Sequence, residues 1–336
     1  MRWDEQRVGA EDEGRLFGPA GESVVRTFDA PEAMGVSFHE VRARSALNRV
    51  PGGRYGFGWT INPYRGCAHA CVFCFARPTH TYLGFDAGRD FEREIVVKVN
   101  LPELLRVELA RPSWRRELVA LGTNTDPYQW VEGRYRMMPA ILAALEEADT
   151  PVSVLTKSPL VLRDVEIYAR MAERLPVSVN LSVPTLDERA WRATEPHTPS
   201  PAARLDAVAE LRSRGIESGV LVAPLMPGIN DDPAQVQPIL DRAREAGATF
   251  LGGVALHLRA EVRDVFFAWL QAKRPDLLPR YEKLYPRSRA YLHPEDRVDA
   301  TRAVRGWGRS SRGRKESVPE RGGGDPPDWR ILKLPV

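Results

Sequence analysis

The sequence predicts an α/β protein built as a barrel, or an incomplete barrel, of six βα units. Three observations carry this expectation. Short apolar runs alternate with longer amphipathic stretches through most of the 336 residues. Gly215 and Gly247 stand after helical patterns and before strand patterns, where a left-handed residue ends a helix. Asp231-Asp232-Pro233 supplies an N-cap candidate with Pro in the first turn of the helix that follows.

In chain order, strands are expected at Gly58–Pro63, Glu117–Gly122, Val152–Thr156, Val177–Ser182, Ser218–Pro224 and Thr249–Leu256. Helices are expected at Met137–Ala148, Leu160–Arg174, Ala202–Arg214, Ala234–Ala246 and Asp264–Gln271. Glu94–Val99 reads as an additional strand, followed by a helix from Leu101 to Ala110. Six units in one series suit a barrel better than two unrelated domains. The chain therefore divides into an N-terminal arm (1–37), a barrel domain (38–300) and a basic tail (301–336). The arm has mixed charge and no periodicity, while the tail is rich in Gly, Ser, Pro and Arg and is expected to be disordered.

Composition narrows the function classes. Hydrophobic residues make up 43 %, enough for a sizeable core. The net charge of +3 hides a +5 tail on a body of −2, which argues against a dedicated nucleic-acid binder with one basic face. No apolar run reaches the ~18 residues of a membrane span, and the acidic N-terminus lacks an apolar leader, so a cytoplasmic protein without membrane contact is expected.

All three cysteines, Cys67, Cys71 and Cys74, lie in one Cys-x3-Cys-x2-Cys loop directly after the first barrel strand. Three sulfurs this close make no useful disulfide framework and read as a metal site. Iron–sulfur cubanes normally take four thiolates, so a cluster here would keep one iron open, as catalytic metal sites do. Zinc held by the three Cys with His69 or His80, and a set of inert thiols, are the competing readings.

The loop also carries an aromatic residue, Phe73, in the pattern Cys-x3-Cys-x-aromatic-Cys. In this it resembles the radical S-adenosylmethionine (SAM) superfamily. The wider stretch TINPYRGCAHACVFCFAR resembles the spore photoproduct lyase-like branch, and the likeness runs from about Phe38 to Leu258. The resemblance implies a partial (βα)6 TIM-like barrel and an enzyme. It also implies a 4Fe–4S cluster on Cys67, Cys71 and Cys74, with the amine and carboxylate of SAM on the fourth iron. A reducing partner such as flavodoxin or ferredoxin follows, and a substrate that the sequence does not identify, nucleic acid being one option. The alternative is a zinc or iron–sulfur nucleic-acid-binding module without SAM turnover.

Strand ends are where such folds place chemistry. Gly122-Thr-Asn-Thr-Asp-Pro-Tyr-Gln129 matches the branch and departs from the Gly-Gly-Glu of many relatives; it nominates Thr123, Thr125 and Asp126 for the ammonium of SAM. Lys157 ends the third strand and is a candidate partner of the SAM carboxylate, the more telling because only six residues in the chain are Lys. Ser182 ends the fourth and is carried over as a SAM contact, with Asn180 on the same side and Pro184 departing from the branch. Glu195-Pro196 and Arg204 reproduce a family pattern that reads equally as a loop-positioning ion pair or a SAM contact. Pro224–Asp231 reads mainly as turn chemistry, and His257 ends the sixth strand facing the cavity or the core. Spore photoproduct lyase uses a further Cys outside its cluster, and this chain has none, so repair by that route is not expected.

Overall fold

The computed structural model describes residues 24–28, 35–51 and 56–304. The tail from 305 onward, including the expected disorder there, lies outside the described residues, as does most of the arm. The strands in order are β1 (Val25–Arg26), β2 (Ser37–Val41), β3 (Asn48–Arg49), β4 (Trp59–Ile61), β5 (Tyr64–Arg65) and β6 (Glu94–Lys98). They continue with β7 (Val119–Leu121), β8 (Val152–Thr156), β9 (Val177–Ser182), β10 (Glu217–Leu225) and β11 (Phe250–Ala255).

Seven strands form one sheet in the order β11-β10-β9-β8-β7-β4-β3. From β4 to β11 every neighbouring pair is parallel, and β3 caps one edge antiparallel to β4. The six expected barrel strands are these six parallel strands, and the sheet stays open between β11 and β3, so the barrel is partial. Helices return the chain between them: Met137–Glu147, Pro201–Ser213 and Pro233–Glu245 lie within a residue of expectation. The segment expected at Leu160–Arg174 begins as a 3-10 helix, Pro159–Asp164, before the α-helix Val165–Ala172.

Local chemistry explains these boundaries. Gly215 and Gly247 have φ of +77° and +72°, the left-handed ends foreseen after two helices. Asp232 accepts a hydrogen bond from Ala234 N at 2.8 Å and caps the helix that Pro233 begins. In β8 and β9 burial alternates with period two. Val152, Val154, Val177, Val179 and Leu181 pack with Leu205, Val208 and Leu211 of the covering helix, each worth about 1.5–3 kcal/mol of transfer free energy. The opposite, concave face carries Ser153, Ser178 and Asn180, half-buried and polar.

The strand read at Glu94–Val99 belongs to a second, four-stranded sheet in the order β1-β2-β6-β5. There Val25–Arg26, from the segment expected as an N-terminal arm, pairs antiparallel with β2. Beyond β11 the chain adds Glu261–Lys273, Leu278–Leu284 and Pro294–Ala300, of which only the first was foreseen. These helices supply Phe266, Leu270, Tyr281 and Tyr285 to a separate apolar cluster that also holds Cys71 and Phe73. The cysteine loop thus sits under a C-terminal roof. Among the described residues no helix is long and apolar enough to cross a membrane.

Candidate active site

The cysteine loop hangs between the two sheets. It leaves β4 through Asn62-Pro63, passes through β5 and reaches Cys67 at Gly66, whose φ is +78°. A Cβ on Gly66 would stand 2.8 Å from Phe91 O and 2.9 Å from His80 Cε1, so only glycine fits the turn. Cys67 and Cys71 are buried, Cys74 is half-buried, and none is in a disulfide. Consecutive turns, Ala70 N to Cys67 O (3.3 Å) and Cys74 N to Cys71 O (3.2 Å), curl the three side chains into one neighbourhood.

Burial and the neighbouring Glu195 push the Cys71 thiol well up, and burial with Cys67 holds Cys74 at about 11. A trio of buried thiols that disfavour one another's charge is stabilised by a cationic centre, which is what an iron cluster supplies. Among the described residues no three His, Cys, Asp or Glu side chains converge as the ligands of a single metal ion. Three thiols with no fourth cysteine in the chain suit a cluster that keeps one iron open.

Two side chains brace this loop without having been singled out by sequence. Arg77, fully buried, donates to Cys71 O (2.9 and 3.1 Å), Ala70 O, Ala87 O and Gly88 O, and pairs with Glu92. Gln129 accepts from Ala68 N at 3.0 Å and donates to Gly66 O at 3.2 Å. Gln129 reaches backbone some sixty residues away, which leaves no local pattern. The only available signal was that Gln129 closes the Gly122–Gln129 motif.

The strand-end candidates arrive at the same rim. Thr125 donates to Gly66 O at 2.7 Å, so its hydroxyl holds the loop. Asp126 accepts from Thr156 Oγ1 (2.6 Å), Tyr128 N (2.9 Å) and Lys157 N (2.8 Å), and lies 3.4 Å from His69 Nδ1. Burial alone would raise its pKa, and His69 with these donors lowers it instead. Burial works against charge on His69 as well, but Cys67 and Asp126 outweigh it and hold the imidazole at about 10. Thr123 is half-buried at the rim, its hydroxyl 3.4 Å from Asn62 Oδ1.

Lys157 reaches Glu195 Oε1 at 2.5 Å and Ser182 Oγ at 2.8 Å, with its ammonium 5.6 Å from the centre of the Phe73 ring. Glu195 also takes Arg204 at 2.8 Å, both fully buried, and the two cations overcome burial to keep its carboxyl ionised below the usual range. Arg204 donates onward to Ser182 O at 2.9 Å. The Glu–Arg pattern is thus an ion pair that fixes the end of β9, and Ser182 belongs to the same network. Asn230, in the motif after β10, donates to Pro184 O and Pro224 O (2.8 and 3.0 Å) and ties two strand ends together.

The remaining histidines divide. His80 bonds Glu94 O at 2.9 Å on the second sheet. The His257 ring stacks on Tyr291 at 5.5 Å and lies 6.0 Å from the Phe75 ring, its buried Nε2 without a hydrogen-bond partner among the described residues.

The comparisons with known proteins agree with this architecture. The family model described as Radical SAM superfamily matches residues 61–236. An uncharacterized protein of Mycobacterium tuberculosis is 46 % identical over 302 residues, 88 % of each chain. A radical SAM Nα-GlyT isomerase of Pseudomonas phage M6 is 24 % identical over 246 residues, covering 72 % of this chain and 47 % of that one. Among solved structures, spore photoproduct lyase complexed with dinucleoside spore photoproduct aligns with a TM-score of 0.58 at 16 % identity, covering 80 % of this chain and 77 % of that one.

Proposed function

The chain belongs to the radical SAM superfamily, whose enzymes use a 4Fe–4S cluster and SAM, and on that premise we propose that Cys67, Cys71 and Cys74 hold the cluster. When bound, this pair of cofactors supplies one-electron cleavage of SAM to methionine and a 5′-deoxyadenosyl radical, the electron coming from a reductant such as flavodoxin or ferredoxin. The observation that carries the reading is a set of three free thiols, with no fourth cysteine in the chain, held on one loop by the barrel's strand ends.

The protein's own contribution is placement. Arg77, Thr125 and Gln129 fix the loop from three directions, so the thiols keep their relative positions. Lys157 is committed to Glu195 and Ser182 through two of its three N–H donors, leaving the third for the carboxylate of SAM. Thr123 and the backbone of Gly122–Asn124 offer acceptors at the rim for the methionyl amine, while Asp126 orients Lys157 through its backbone N–H. Ser182 and Asn180 present the polar concave face toward the ribose. The roof of Phe266, Tyr281 and Tyr285 beside Phe73 excludes water from the radical.

The substrate is proposed to be nucleic-acid related. The dinucleoside held by the structurally similar lyase supports this, and with every cysteine assigned to the cluster no thiol remains to return a hydrogen atom to product. Anaerobic reconstitution with iron and sulfide, then dithionite and SAM, should release 5′-deoxyadenosine, and a Cys71→Ala variant should release none. Zinc in place of iron, with SAM left intact, would sink the proposal and leave a metal-dependent binding module.

A further inference from the structure

We propose that Arg65 and Lys98 form a binding site for a phosphate group of the substrate, on the second sheet beside the cysteine loop. The proposal deepens the nucleic-acid reading and rests on it.

The placement follows from strand register. Arg65 of β5 pairs antiparallel with Val96 of β6, and Lys98 lies two residues further on the same face. Such diagonal neighbours are about 7–8 Å apart, a span that two long side chains close around one oxyanion. The backbone of Lys98 donates to Pro63 O at 3.1 Å. This fixes it where the chain leaves β4, next to Asn62, which accepts from Asn124 N at 3.2 Å at the rim.

Lys98 is only 9 % exposed and Arg65 is half-buried, yet among the described residues neither makes a side-chain hydrogen bond or ion pair. The two arginines buried as deeply are both paired, Arg77 with Glu92 and Arg204 with Glu195. Burial, and then Arg65, push the Lys98 ammonium down to about 7, with no carboxylate acting in the other direction.

Two adjacent cations with no anion paired to them among the described residues match an oxyanion brought from outside. Arg offers a planar fork and Lys a point charge, the combination suited to phosphate. Such contacts position a nucleic-acid strand without reading its bases.

The test is titration calorimetry on the reconstituted holoprotein in phosphate-free buffer. The probes are a thymidine dinucleoside monophosphate, inorganic phosphate and uncharged thymidine. Arg65→Gln and Lys98→Met should each weaken the phosphate-bearing probes by about tenfold or more, with Lys98→Arg retaining them and thymidine unaffected. Tighter binding of the dinucleotide than of inorganic phosphate assigns the site to a strand, and the reverse assigns it to a free phosphate group; either outcome supports a phosphate site. Equal affinities in the unsubstituted protein and both folded variants, or no binding of either anion, overturn it. Iron content and SAM cleavage are measured on the same unsubstituted preparation. Failure of the cluster reading is thereby distinguished from failure of this one.

Discussion

Lys157 Nζ lies 2.5 Å from Glu195 Oε1, and the other oxygen of that carboxylate lies 2.8 Å from Arg204. One buried anion therefore joins the ends of β8 and β9 to the helix behind them. Lys157 enters the site from a fixed position, as a member of a network and not as a free side chain.

Breaking that network at its rear should cost more than deleting it. Arg204→Met leaves the buried Glu195 charge with a single partner, and loss of a partner from a buried pair costs about 3–5 kcal/mol. Removing both, as Glu195→Met with Arg204→Met, should recover a large part of this. Denaturant midpoints of the two variants decide the matter; a single variant as stable as the double would show that Lys157 alone satisfies Glu195.

The architecture was legible because its signals are local. Period-two burial in β8 and β9, and the glycine and proline punctuation of the helices, all lie within windows of a dozen residues. The cysteine loop was legible for the same reason. What sequence could not provide was the partner of each polar side chain. Glu195 meets Lys157 across thirty-eight residues, and the Thr125 hydroxyl donates to Gly66 O across fifty-nine. A Thr that braces a loop and a Thr that binds a cofactor look alike in one dimension. Arg77 was passed over because arginine is common in this chain, although its burial makes it the main support of the cysteine turn.

Gly122 tests how tightly the rim is built. Its φ is +87°, and an added Cβ would fall 1.9 Å from Leu155 O in the next strand, so no side-chain movement relieves the clash. Gly122→Ala should cost roughly 2–5 kcal/mol, combining backbone strain with overpacking. Gly247→Ala provides the control. It shares a positive φ of +72° but meets nothing nearer than 3.9 Å, so only the left-handed penalty of about 1–2 kcal/mol remains. Thermal melts of the two variants should separate clearly, and equal melting points would contradict the close approach of β7 and β8.

His257 should contribute to acid lability. Burial, and then the nearby Arg259, hold its folded pKa at about 4, whereas the unfolded side chain titrates near 6.5. As the pH falls from 6.5 toward 4 the unfolded chain gains a proton that the folded one refuses, so stability is lost across that window, by up to roughly 3 kcal/mol. His257→Phe keeps the aromatic stack on Tyr291 and removes the titration. Urea midpoints at pH 7 and pH 5 should therefore fall less in the variant. Parallel losses would show that His257 protonates freely in the fold.

Lys98 gives a dependence of the same sign at higher pH. Its folded pKa of about 7 is depressed, while the unfolded value is near 10.4. Below pH 7 both states carry the charge, and the folded state bears the full cost of burying it. Between 7 and 10.4 only the unfolded chain binds the proton, so raising the pH favours folding. Lys98→Met should thus be more stable than the unsubstituted protein at pH 6.5, by on the order of 4 kcal/mol, with the difference shrinking toward zero by pH 10. Adding phosphate at pH 6.5 should narrow the same gap by stabilising only the protein that retains the ammonium. A gap that ignores both pH and phosphate would mean that Lys98 finds its counter-charge elsewhere.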